Sequence, residues 1–144
     1  MNKLFTIVTM TIIVSSLAFG YEASKQADVS KLVGVWKSIE DVNGEPQAVI
    51  TINKTGKQVD GKFVFRGLTV NERDNITIDV PLTNISFDGS TFSFKVAFPG
   101  PERMVVDWEL ILRNENEAGL GLTKEDGKPV ENAPSFVMKR AKSN

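Results

Sequence analysis

The 144-residue chain contains no cysteine and no histidine, and only one tyrosine and two tryptophans. Without cysteine there is no disulfide, no thiolate nucleophile and no thiolate-bound metal. Without histidine there is no Ser-His triad, no imidazole-ligated zinc and no imidazole acid–base catalysis. Carboxylates are the only general acid–base groups left. An excess of one charge is also lacking, with 17 Lys+Arg against 18 Asp+Glu. No basic face is therefore expected to follow a phosphate backbone, and three Tyr and Trp side chains offer few platforms for stacked bases. The expectation is no nucleic-acid partner. No Gly-rich phosphate loop and no Ser-x-x-Lys motif occurs, and nothing else in the sequence calls for a cofactor or a metal.

Residues 1–20 read as an export signal. Lys3 supplies the positive start, Leu4 to Val14 the apolar stretch, and Ala18-Phe19-Gly20 a small-x-small cleavage site before Tyr21. The apolar stretch covers about 11 residues where a membrane-spanning helix needs roughly 20, so no stable membrane anchor is expected. The sequence predicts an exported protein, periplasmic or extracellular. An exported chain held by its core without disulfides suits a bacterial host. Asn53, Asn75 and Asn84 each begin an Asn-x-Ser/Thr sequon, and in an Asn- and Thr-rich β protein these are read as chance occurrences.

After residues 21–31, which hold room for a short helix over Ser24–Leu32, the period of the pattern is two. Ile76, Ile78, Val80 and Leu82 alternate with polar residues, as do Phe92, Phe94, Val96 and Phe98. Met104, Val106, Trp108, Leu110 and Leu112 form the third clear stripe. Shorter stretches of the same kind cover Val33–Ile39, Gln47–Asn53, Val59–Gly67, Ala118–Thr123 and Ser135–Arg140. Asn43-Gly44, Thr55-Gly56, Asp88-Gly89 and Asp126-Gly127 place turn chemistry between strands. The prediction is all-β, with eight sequential antiparallel strands over 32–140 and a tail at 141–144. Such strands can close into an up-and-down barrel or fold as a two-sheet sandwich. The barrel is favoured because it leaves no exposed edge.

The first strand opens Gly34-Val35-Trp36 and the last ends at Arg140. In this the chain resembles the lipocalin-like, or calycin, barrels, which begin with Gly-x-Trp and, in lipocalins, finish with an Arg over the same Trp. It also looks like small barrel modules of unassigned function in bacterial secreted proteins. The resemblance implies an eight-stranded barrel closed by Gly34, Trp36 and Arg140. The chain departs from lipocalins between Thr123 and Ser135, where no long helix fits.

Seven strand phenylalanines, Phe63, Phe65, Phe87, Phe92, Phe94, Phe98 and Phe136, mark the expected interior. Either they fill the barrel as core, or Phe63, Phe65, Phe92, Phe94, Phe98 and Trp108 line a site for a small apolar or lipid-like molecule. The sequence-level expectation is a non-catalytic binder of such a ligand. The alternative is a protein-binding module, an inhibitor or accessory factor of an envelope or secreted enzyme, using loops such as 99–103. Asp107 and Glu109 share a strand face, and a carboxylate pair about 5 Å apart could serve glycoside hydrolysis. They face outward if Trp108 faces inward. Asp41, Asn43 and Glu45 alternate as calcium-loop oxygens do, but Pro46 follows and Ile52 occupies the twelfth position, so a tight turn is expected. Lys139, Arg140 and Lys142 form a small basic tail of the kind that keeps a terminus soluble.

Overall fold

A computed structural model describes residues 27–68, 75–100 and 103–143; the export signal and the first three residues of the expected Ser24–Leu32 helix lie outside the described residues. What is described of that helix is one 3-10 turn, η1, over Val29–Leu32. Asp28 caps it by accepting the Ser30 N–H at 3.0 Å. The strands follow as β1 (Gly34–Ser38), β2 (Asp41–Val42), β3 (Glu45–Pro46), β4 (Ala48–Thr55), β5 (Gln58–Leu68), β6 (Asn75–Pro81), β7 (Thr83–Phe87), β8 (Thr91–Phe98), β9 (Met104–Asn114), β10 (Glu117–Glu125), β11 (Lys128–Pro129) and β12 (Ser135–Arg140).

The main sheet runs β6-β5-β4-β1-β12-β10-β9-β8-β7, with β11 appended to β10, and β2 and β3 form a separate hairpin. Every pairing is antiparallel, and the first strand meets the last. The result is an up-and-down sheet nearly closed into a barrel. The eight expected strands are β1, β4, β5, β6, β8, β9, β10 and β12. The addition that matters is β7, because it continues β6 beyond Leu82. The upper half of this bent strand pairs with β5 and the lower half with β8. Apolar parity also changes there, from Val80 and Leu82 to Ile85 and Phe87. A register irregularity between Thr83 and Ser86, with Asn84 at φ 48°, absorbs the change. A period-two reading therefore stops at Leu82, where the pattern loses phase.

Alternation sends one row of each strand inward. Val80, Phe63, Ile50 and Trp36 lie in register across β6, β5, β4 and β1, and Arg140 of β12 continues the row. With Phe92, Phe94, Val96, Val106, Trp108, Leu110, Leu120 and Met138 they make one continuous buried core. Burying each large apolar side chain contributes about 1.5–3 kcal/mol, which suffices without disulfides.

The two ends of the barrel differ. At one end η1 sits beneath the strands, with Val29 and Leu32 buried as a plug. The β4–β5, β7–β8 and β9–β10 hairpins gather around it, with Lys54 reaching Asp28 and Ala27 against Gly89. The β1–β4 and β10–β12 connections, and the ends of β5 and β8, lie at the opposite end. There Phe65, Ile78, Phe98, Met104 and Leu122 are only partly buried against the core.

Candidate functional site

Trp36 belongs to the end closed by η1 and Trp108 to the interior toward the opposite one. Both indoles are out of solvent, at 0% and 2% exposure. The Trp36 Nε1–H donates to the Leu32 carbonyl at 2.9 Å. Arg140 covers the same ring, with Cζ 4.4 Å from its centroid. The guanidinium also donates to three carbonyls, Val33 at 2.7 Å, Glu115 at 2.8 Å and Lys31. One side chain thus ties η1, β1 and the β9–β10 hairpin to β12. Gly34 makes room for it: a Cβ there would stand 3.3 Å from Arg140 Nη1, and φ is +129°. A cation over an indole contributes about 0.5–2 kcal/mol depending on burial.

Trp108 has no such arrangement. It points inward from β9 between ladder partners Phe94 and Leu122. Its ring meets Phe63 at 5.2 Å and Phe136 at 6.3 Å between centroids. Phe63 in turn meets Phe65 and Phe94, Phe94 meets Phe92, and Phe65 meets Phe136 edge-on. Five of the six residues expected to line a ligand site, Phe63, Phe65, Phe92, Phe94 and Trp108, are therefore in one aromatic cluster. Phe98 sits apart, paired with Met104 at the far end of the β8–β9 ladder. Phe136 completes the cluster and was not among the expected lining residues. Its alternation with Met138 and Arg140 on β12 was the available signal.

The Trp108 Nε1–H is buried and has no hydrogen-bond partner among the described residues. A buried donor left unpaired costs about 1–3 kcal/mol. Beside it, β10 carries a bulge between Leu122 and Lys124, opposite Trp108 and Asp107. Thr123 is the extra residue, and its hydroxyl donates to the Asp107 carbonyl at 3.2 Å.

Asp107 and Glu109 face the outer wall, in a hollow of 230 Å³ that Ser93, Lys95, Asn84 and Thr123 also line and that borders Phe94 and Trp108. Asp107 Oδ1 lies 3.3 Å from Lys95 Nζ, at ion-pair distance but without hydrogen-bond alignment. The pair thus lies outside the barrel interior, with one carboxylate engaged by a cation. Asp41, Asn43 and Glu45 form the β2–β3 hairpin, whose turn places Asn43 and Gly44 at positive φ. Glu45 is spent on Arg66, 2.6 Å away.

Three carboxylates are held below their ordinary pKa, and all belong to the closed end. Asp28 is lowered by hydrogen bonds from Ser30 and by Lys54, and Asp88 by the backbone N–H groups of Thr91 and Ser90. Glu117 is lowered by Lys139, which bonds it, and by Arg113.

Compared with known protein families, curated proteins and solved structures, the chain matches none.

Proposed function

We propose that this chain is an exported, non-catalytic barrel that binds one small apolar molecule at the end opposite η1, in the manner of the lipocalin-like proteins it resembles through Gly34, Trp36 and Arg140. The observation that carries this reading is the asymmetry of the barrel. One end is plugged by Val29 and Leu32. The other has no such plug among the described residues and carries partly buried Phe65, Ile78, Phe98, Met104 and Leu122 beside the aromatic rings, while Val59, Ile85, Phe87 and Leu112 are partly buried around η1. Because the rings touch one another, they occupy the middle of the barrel themselves. The ligand's place is among the half-buried side chains above them, with the rings as its floor. Apolar side chains around a small number of polar groups are the usual composition of such a site.

A second reading, the protein-binding module, draws on the outer wall. Ile39 and Ile111 are 58% and 47% exposed. Ile111, Gly119 and Val137 form one row across β9, β10 and β12, where the Arg113 guanidinium lies over Gly119. Isolated exposed isoleucines are common on soluble proteins, so this reading ranks second.

Native mass spectrometry of the protein purified without detergent from its own host, followed by organic extraction, tests the first reading. A stoichiometric small-molecule adduct whose mass survives desalting is the expected result. A bare polypeptide mass that also fails to bind added C8–C14 apolar probes would overturn it.

A further inference from the structure

The outer face of β1, β12, β10 and β9 sorts its side chains by charge, level by level across the sheet. The middle level is apolar: Ile111, Gly119 and Val137 are register partners, and exposed Ile39 adjoins them, its N–H donating to the Val137 carbonyl at 3.0 Å. The next level toward η1 is basic. Arg113, Lys139 and Lys37 stand there around Glu117, which bonds both Arg113 and Lys139. The level on the other side is acidic. Glu109, Gly121 and Ser135 are its register partners, and Glu40 lines the same hollow as Gly121 and Ser135.

Two features of this face call for something beyond the chain's own strands. Lys37 and Lys139 are direct cross-strand partners, and like charges so placed repel. A carboxylate brought in from outside relieves that repulsion. In addition, a hollow of 500 Å³ runs along β10, with Ile111 on one side and Val137 on the other. It passes over Gly121, where a Cβ would meet nothing within 4 Å. A glycine inside a strand suits the close approach of another chain.

We infer that this face is the interface of a two-fold symmetric dimer of the chain. Turning a second copy over about an axis along the apolar level sets its acidic level on the basic one and its apolar level on the apolar one. Arg113 then stands opposite Glu109 of the second copy, Lys37 opposite its Glu40, and Glu117 opposite the open place at its Gly121. Each contact occurs twice, because such an interface uses the same patch on both subunits. An axis along the strands would oppose like charges, so the charge pattern selects the orientation. A face of four strands about 4.8 Å apart lies at the small end of specific interfaces, and the dimer is accordingly weak and reversible. The inference is independent of ligand binding at the end opposite η1. It uses the outer wall alone and names a second copy as the partner there.

The test is sedimentation velocity of the full chain, purified from its own host without detergent, over about 5–500 µM at low salt. The expected result is a mass that rises from monomer toward dimer across that range. Glu109→Arg and Arg113→Glu each oppose like charges, and each should weaken association about tenfold or more. Mixed in equal amounts, the two variants should recover most of the association, because each supplies the charge that the other lacks. Thermal unfolding checks that each variant is folded. If either is not, Ile111→Asp, with the same tenfold loss expected, takes its place.

A chain that stays monomeric throughout would overturn the inference and leave the ligand reading standing. A dimer indifferent to these substitutions uses another surface and would overturn it as well. Association lost in both charge variants and not recovered in their mixture would overturn the pairing of Arg113 with Glu109. A dimer that carries no small molecule and binds no apolar probe would fail the ligand reading alone.

Discussion

The end of the barrel closed by η1 and the opposite end are built from the same strands and differ, among the described residues, in how completely their polar groups are used. At the closed end the indole N–H of Trp36, the Arg140 guanidinium and the carbonyls of Lys31, Val33 and Glu115 are mutually satisfied. Toward the opposite end an equally buried indole has no partner among the described residues. The difference separates groups that hold the wall together from one that does not. A fully satisfied network specifies one geometry; an unsatisfied donor is destabilising.

The sharpest way to break this comparison is to make the same substitution at both tryptophans. Trp36→Phe removes a hydrogen bond, strands the Leu32 carbonyl and takes the larger ring from beneath Arg140. It should cost about 2–3 kcal/mol in denaturant unfolding. Trp108→Phe removes a donor that has no partner, so the lost ring volume is offset and the net change should stay within about 1 kcal/mol. Equal losses at the two sites would mean that Trp108 is satisfied by a resident group and that the ends do not differ in this way.

A smaller effect is expected where the staple itself is altered. Arg140→Met keeps an unbranched stem over Trp36 but loses the charge and all the guanidinium's hydrogen bonds, and should cost about 1–2 kcal/mol. Gly34→Ala should cost a similar amount, about 1–2 kcal/mol, through its positive φ. If both changes act on one arrangement, the double variant in a thermodynamic cycle should fall short of their sum. Strict additivity would show that Gly34 serves only the backbone.

The smallest effect is with pH. Asp28, Asp88 and Glu117 have folded-state pKa values below their ordinary ones, so the folded protein binds fewer protons than the unfolded chain near pH 4. Their contribution is complete above the ordinary carboxylate range and is lost as pH falls through the lowered values. With no histidine to titrate, the midpoint of thermal unfolding should change little between pH 6 and 8 and decline below about pH 4.5. Hydrogen exchange should show the hairpins around η1 loosening before the strand segments at the opposite end do. The reverse order would place the acid-sensitive contacts elsewhere.

Much of the wall was legible because inward rows repeat at a strict period of two. Phe92, Phe94 and Val96 oppose Leu110, Trp108 and Val106, and the alternation alone puts them on one face. The fourth strand was cut short because Asn84 at positive φ shifts the phase, leaving Ile85 and Phe87 on the opposite parity from Leu82. No periodicity argument detects a residue that steps out of the pleat. The site was only partly legible for another reason. Alternation gives Trp36 and Trp108 the same inward orientation, while their difference lies in a carbonyl that η1 brings to one and not to the other. That carbonyl is set by tertiary packing. The aromatic cluster shows the same limit: Phe98 continues the parity of Phe92 and Phe94, yet it stands at the end of the β8–β9 ladder and is only partly buried.

The pairing of β1 with β12 has a consequence for how the chain reaches this structure. Arg140 contacts Val33 across 107 residues of sequence, whereas the other neighbours in the sheet follow one another along the chain. Local hairpins form in microseconds, but an end-to-end pairing must first meet the loop-closure entropy of the whole intervening chain. During synthesis the edge of Gly34–Ser38 has no partner until the segment from Ser135 onward has been made. Through that interval the growing chain carries an unpaired strand edge, the feature that recruits other chains. The last six-residue strand therefore does more than complete a wall: its arrival ends the period in which the protein is open to pairing with its neighbours.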